Sequence, residues 1–304
     1  MIDLQTAPQH PFAREAGQFD SPPVRGWPYL ANIIPVLMRR QAQLWLRFRV
    51  SSVMDILTML AQASVFFFVG RAIGGETWTA ASAGFLAVGI VVNTFLQQAL
   101  TGPYHSIADA YWSMRLESLM FSPCPLIVNV IGDVLWILVN ATISATFLAG
   151  IGAAFGARLS ASAGEVLLAV AMLILGTVAV LGIGLISASM FMLINAKGFN
   201  DPISWLVGVL QGLVAGAYFP PSELPGPLYA VARCLPQTYT IDAIRRLLLH
   251  DDPAALARVG SLSPLASDVV IVAGMTVVTL VLGAMAFRLG IRKAQRDGGL
   301  SRWS

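Results

Sequence analysis

Side chains able to make or break covalent bonds are sparse in this chain. Its histidines are His10, His105 and His250, and all of them fall outside the long apolar runs. The cysteines, Cys124 and Cys234, lie far apart and form no CxxC pair, so metal and redox motifs have no support. No GxxxxGK[ST] loop is present to cradle a nucleotide phosphate. HExxH and GxSxG are absent as well. Catalysis by this chain alone is therefore not expected, nor is a cofactor or metal within it.

Three segments carry a different chemistry, that of contact. Residues 106–126 read SIADAYWSMRLESLMFSPCPL. Trp112, Leu116, Leu119 and Met120 have helical spacing beside Arg115, Glu117 and Ser118, and Pro123 and Pro125 end the helix. A short amphipathic helix of this kind can rest on lipid or dock into a partner groove, and physics alone leaves both open. The second segment, 219–252, starts FPPSELPG. Pro220, Pro221, Pro225 and Pro227 break the apolar run before it, and Pro236 separates two short amphipathic helices near 227–234 and 238–249. Ile241, Ile244, Leu247 and Leu248 form an apolar face, with Asp242, Arg245 and Arg246 on a polar one. Such helices, too short and too charged to span, would lie at a membrane interface. The third segment places Ser204, Gly208, Gly212 and Gly216 on every fourth residue, with Gln211 beside them. Small residues let helices approach closely in lipid. The face serves packing within one subunit, or else a subunit interface or substrate path. Gly283 belongs to no such series.

The elements that must position these segments follow from composition. The 304 residues are 56% hydrophobic and only 12% charged, about half the charge of an ordinary soluble domain. Mean hydropathy is +0.72. A soluble fold could not hide this much apolar surface, so the chain reads as an all-α membrane protein. Spans of about 20 residues, the length that crosses hydrocarbon, are expected at 52–72, 81–101, 126–150, 165–194, 203–219 and 267–288. Residues 1–29 read as a disordered cytoplasmic tail and 291–304 as a second one. Between the first tail and the six-span domain (51–290), residues 30–50 form an amphipathic helix. Ile33, Ile34, Leu37, Met38, Leu44, Trp45 and Phe48 lie on one face, and Arg40, Gln43 and Arg47 on another. It is expected to lie in the interface with its cations toward anionic headgroups.

With the N-terminus in the cytoplasm, Arg71, Arg158, Arg233, Arg245, Arg246 and Arg258 are outside and the other thirteen of the 19 basic residues are inside. That excess favours cytoplasmic N- and C-termini. It puts Cys124 and Cys234 on opposite sides, unable to pair, and places 106–126 inside and 219–252 outside. Net charge is only +3, and no basic run interleaved with aromatics points to nucleic acid. Polar residues within the spans are Asp55, Gln62, Asn93, Gln97, Gln98, Asp133, Asn140 and Gln211. Asp55 and Asp133 sit near cytoplasmic span ends, where water can reach them, and a proton relay would place carboxylates deeper.

The order of these parts, with LESLMFSP after the second span and FPPSELP…LPQTYTIDAIRRLLL before the sixth, resembles the type-2 ABC exporter permeases, including those for daunorubicin-like drugs and lipooligosaccharides. The resemblance covers about residues 30–290. It implies a permease dimer with two copies of a separate ATPase, which would hold the ATP and Mg. It implies a coupling helix around Trp112, Arg115, Leu116, Glu117, Ser118 and Leu119, and outer re-entrant helices that include Pro220, Pro225, Pro236, Asp242 and Arg245. It further implies outward transport of an amphipathic drug, lipid or lipid-linked saccharide across a bacterial plasma membrane. Where the family often has Gly-Thr before Leu-Glu, this chain has Met114-Arg115. A transporter or channel working alone, or a scaffold docking a cytoplasmic partner, are the competing readings.

Overall fold

A computed structural model describes residues 27–47, 79–121, 126–154, 156–157, 161–193, 202–249 and 264–297, with scattered positions between 53 and 75. The described residues form helices and connecting turns, with no strand among them. The helices are α1 (Trp27–Arg47), α2 (Ala80–Trp112), α3 (Leu116–Phe121), α4 (Leu126–Ala154), α5 (Ala163–Leu193), α6 (Pro202–Val214), α7 (Gly226–Ala232), α8 (Pro236–Leu248) and α9 (Leu265–Asp297).

Four of these, α2, α4, α5 and α9, are long and apolar enough to cross a membrane. They match four of the six expected spans. In the first expected span, the described positions Val53, Met54, Leu57, Leu60, Ala61, Ser64, Val65, Phe68 and 70–72 are helical, and the rest lie outside the described residues, Asp55 and Gln62 included. The fifth differs. α6 has 13 residues, about 20 Å at the helical rise and short of the hydrocarbon thickness. The chain bends from Ala215 to Phe219 instead of completing a span to 219. Gly216, with φ +85°, is a turn residue there and not the end of a helical face. α9 also continues past the boundary expected at 290, as far as Asp297.

Local signals explain where the helices begin. Thr79 caps α2, accepting a hydrogen bond from the Ser82 amide at 3.3 Å. Ser162 and Glu165 form a capping box at α5: the Glu165 carboxylate accepts from the Ser162 amide at 2.7 Å and from its hydroxyl at 2.8 Å.

α5 sits centrally and packs against α9, α2 and α8, while α4 packs on α2. One core gathers Leu96, Leu100, Val180, Ile241, Ile244 and Leu249. A second gathers Tyr104, Ile107, Tyr111, Leu116, Phe191 and Phe287. The α5–α9 crossing is close because two glycines meet there. A Cβ on Gly182 would overlap the backbone at Thr279, and one on Gly283 would overlap the Gly182 carbonyl. Gly283, which belongs to no four-residue series, thus occupies one of the tightest contacts in the fold.

The outward sides of the long helices carry exposed Val, Leu, Ile and Phe, among them Leu167, Ile174, Phe147, Val270 and Val277. Exposed apolar surface on this scale suits lipid as the solvent.

Candidate functional site

α2 ends in a Schellman motif. The Met114 amide donates to the Tyr111 carbonyl at 3.0 Å and the Arg115 amide to the Ala110 carbonyl at 2.9 Å. Met114 is left-handed, with φ +56°, and its side chain is exposed. This is the position where a glycine would be unstrained, and the physical sense of the Gly-Thr pattern noted above. An L side chain there costs about 1 kcal/mol. Met114→Gly is therefore expected to raise the apparent thermal midpoint in detergent by roughly 2 °C. A lowered midpoint would show that the Met114 side chain itself supports the turn.

The sharp stop fixes where α3 starts. Leu116 is fully buried and packs with Ile107, Tyr111 and Phe191, seating the helix on the bundle. Trp112 and Leu119 pack partly buried against the same cluster, and the Tyr111 and Trp112 rings meet edge to face at 5.4 Å. Arg115 Nε donates to the Ser113 hydroxyl at 2.8 Å, and the exposed Ser118 hydroxyl donates to the Arg115 carbonyl at 2.8 Å. Glu117 is in α3, and its side chain lies outside the described residues. The short helix is thus held by an apolar inner face, with polar residues toward the outside.

Asp133 is buried, not solvated, and four donors converge on it. Arg40 Nη2 pairs with Oδ1 at 3.0 Å and Gln41 Nε2 donates to the same oxygen at 2.6 Å. Ser106 Oγ and Asn129 Nδ2 donate to Oδ2 at 2.7 Å and 3.2 Å. A buried carboxylate is tolerable only when its lone pairs are satisfied in this way. Arg40 is therefore not directed at headgroups. It joins α1 to α4, aided by Leu37, which lies against Gly132.

The small-residue face of α6 packs inside the chain. Ser204 Oγ lies 3.4 Å from the Leu100 carbonyl, and a Cβ on Gly208 would come within 2.8 Å of Gln97 Nε2. The surroundings of Gly212 lie outside the described residues. Gln211 is fully buried and donates to the Asn93 carbonyl at 3.2 Å and to Asn93 Oδ1 at 2.9 Å. Its Oε1 is 3.5 Å from Gln237 Nε2, so a polar seam runs from α2 through α6 to α8.

The segment from Phe219 to Leu249 departs most from expectation. Pro220 precedes a single 3-10 turn, Pro221–Glu223. Pro225 stands at the start of α7 and Pro236 is the first residue of α8, where its missing N–H costs nothing. α8 does not lie at an interface with a wet polar face. It is buried almost throughout, wedged against α5, α9 and α2. Gly176 makes room for Thr240, since a Cβ there would overlap the threonine side chain.

Arg245 is fully buried. Nε donates to the Phe85 carbonyl at 3.1 Å, Nη2 to the Ala217 carbonyl at 2.6 Å, and Nη1 to the Gly216 carbonyl. The guanidinium lies over the Phe85 ring, 3.5 Å from its centroid. Gly89 permits this: a Cβ there would overlap both Arg245 and the Ala217 carbonyl. The arginine thus satisfies carbonyls of the bend that follows α6, and binds them to the start of α2. Arg246 bridges Asp242, on its own helix, and Asp268, in the first turn of α9. Cys234 is exposed and free, and Cys124 lies outside the described residues.

Three features were not foreseen: the four-donor Asp133 centre, the Arg245 clamp, and the glycine pairing of α5 with α9. Among the described residues no cluster of His, Cys, Asp or Glu could hold a metal.

Compared with curated proteins, the chain has no match. The family profile described as ABC-2 type transporter matches residues 34–249, most of the chain, from α1 through α8. The short helix after α2, the broken α6 and the buried α8 all lie within that match, and the chain is a member of the ABC-2 type transporter family.

Proposed function

We propose that this chain is the permease subunit of an ATP-driven exporter, working as a dimer with two copies of a separate ATPase that binds ATP and Mg. It has six spans with both termini in the cytoplasm of a bacterial plasma membrane. The substrate is amphipathic: a drug, a lipid or a lipid-linked saccharide. Membership of the ABC-2 type transporter family supports a membrane-spanning component that is not itself catalytic. The observation that carries the reading is α3, a six-residue helix set off by a rigid stop and seated through Leu116. Such a helix transmits a push from a docked partner straight into α2 instead of absorbing it.

Trp112, Arg115, Leu116, Glu117, Ser118 and Leu119 form the coupling element, with Glu117 as the charge that meets the ATPase. An exposed carboxylate facing only water would change stability by about 0.5 kcal/mol or less when replaced. One paired across an interface costs several kcal/mol of binding, on the order of 2–5. Glu117→Arg is therefore expected to insert and fold normally but to lose ATPase co-purification and transport in vesicles. Full ATPase binding with full transport would mean that α3 merely rests on lipid.

A further inference from the structure

α9 presents one unbroken outward face that changes character along its length. Val270, Val277, Val281 and Met285 are all more than half exposed on it. Arg288, Arg292 and Arg296 continue the same face, also exposed. At 100° per residue all of these fall within an arc of about 100°. From Val270 to Met285 the apolar part of the face rises about 22 Å, most of the hydrocarbon thickness of about 30 Å. The three arginines occupy the next turns, at headgroup depth.

Two further observations give this face the form of a lipid site. Gly274 lies in the middle of the arc, exposed, and a Cβ there would meet nothing within 4 Å. It leaves a shallow notch between valines that an acyl chain can fill. The arginines stand on a fixed rod, because Lys293 Nζ donates to the Leu193 carbonyl at 2.6 Å, and Phe287, Gly290 and Ala294 are buried on the inner side. Among the described residues no carboxylate pairs with Arg288, Arg292 or Arg296.

We propose that this face binds an anionic phospholipid, its phosphate held by Arg288, Arg292 and Arg296 and one acyl chain lying along the valine face across Gly274. A soluble protein docked on the arginines would need acidic contacts there but would have no use for an apolar continuation of about 22 Å on the same face. That continuity favours lipid.

The test uses the full chain purified in mild detergent, with phosphatidylglycerol and phosphatidylcholine as probes and bound lipid read by native mass spectrometry. Wild type is expected to retain phosphatidylglycerol over phosphatidylcholine. Each membrane-surface arginine contributes about fivefold, so Arg288→Gln, Arg292→Gln and Arg296→Gln together should lower retention roughly a hundredfold. The corresponding triple Lys variant should keep most of it. Gly274→Phe, which has open space to occupy, should lower retention severalfold with every arginine in place.

Unchanged retention in the triple Gln variant overturns the site. Loss of a co-purifying protein with lipid retention intact assigns the stripe to a protein partner. Displacement by millimolar inorganic phosphate reduces it to a plain anion site, and an inert Gly274→Phe removes the acyl contact. None of these outcomes depends on ATPase coupling.

Discussion

Arg245→Met is expected to prevent recovery of folded protein. The side chain is fully buried and donates to the carbonyls of Phe85, Gly216 and Ala217. Methionine fills much of the volume and donates nothing. Each buried carbonyl left open costs about 1–3 kcal/mol, so the loss is on the order of 3–6 kcal/mol even with partial relaxation. A typical domain has only about 5–15 kcal/mol in total. Arg245→Lys keeps the charge but has neither the planar fork nor the stacking on Phe85, and should fall between the two. Phe85→Leu keeps the three hydrogen bonds and should cost only about 1 kcal/mol. Fluorescence-detected size exclusion with a thermal ramp would order the variants. An Arg245→Met protein with the wild-type midpoint would show that the carbonyls find other partners and that the clamp is dispensable.

Gly283→Leu should be nearly as damaging, and Gly274→Leu on the same helix should leave folding and recovery at the wild-type level. The first glycine faces the Gly182 carbonyl and Leu185 across the α5–α9 crossing. The second faces open space. Inserting a large side chain against backbone cannot be relieved by a rotamer change, so the helices must separate. Overpacking commonly costs about 1–3 kcal/mol, and a separated crossing belongs at or above the top of that range. Monodisperse recovery from detergent is the readout. Equal recovery of both variants would mean that α5 and α9 do not pack as closely as Gly182 and Gly283 imply.

These cases show what composition and pattern carry and what they do not. The four long helices follow from apolar runs that only lipid can solvate. The stop after Trp112 and the broken α6 follow from local backbone chemistry: a left-handed residue in one case, and Gly216 followed by prolines in the other. α8 was legible as a helix but not as a buried one. Its polar face reads the same whether water or protein satisfies it, and the carbonyls that satisfy Arg245 belong to residues with no distinguishing side chain. Asp133 was recognisable as a carboxylate near a span end, but its partners come from α1, α2 and α4, which no local window joins. Small residues at every fourth position mark α6 but not Gly283 and Gly290, which recur after seven and meet α5 near Gly182 and Ser189.

Under the proposed coupling, the length of α2 makes it a lever arm. Its C-terminal end carries α3 through the stop at Met114, and its other end offers the Phe85 carbonyl to Arg245. Trp112 and Phe85 are about 40 Å apart along the axis. Pivoting α2 by about 5° at its C-terminal end would swing Phe85 through roughly 3.5 Å over that length. Hydrogen bonds near 3 Å do not survive such a displacement. Under the proposed coupling, either the clamp releases at every stroke, or the broken end of α6 and the whole of α8 ride with α2 as one body. The Asn93–Gln211–Gln237 seam gives that body a second tie about 12 Å along the arm from Phe85.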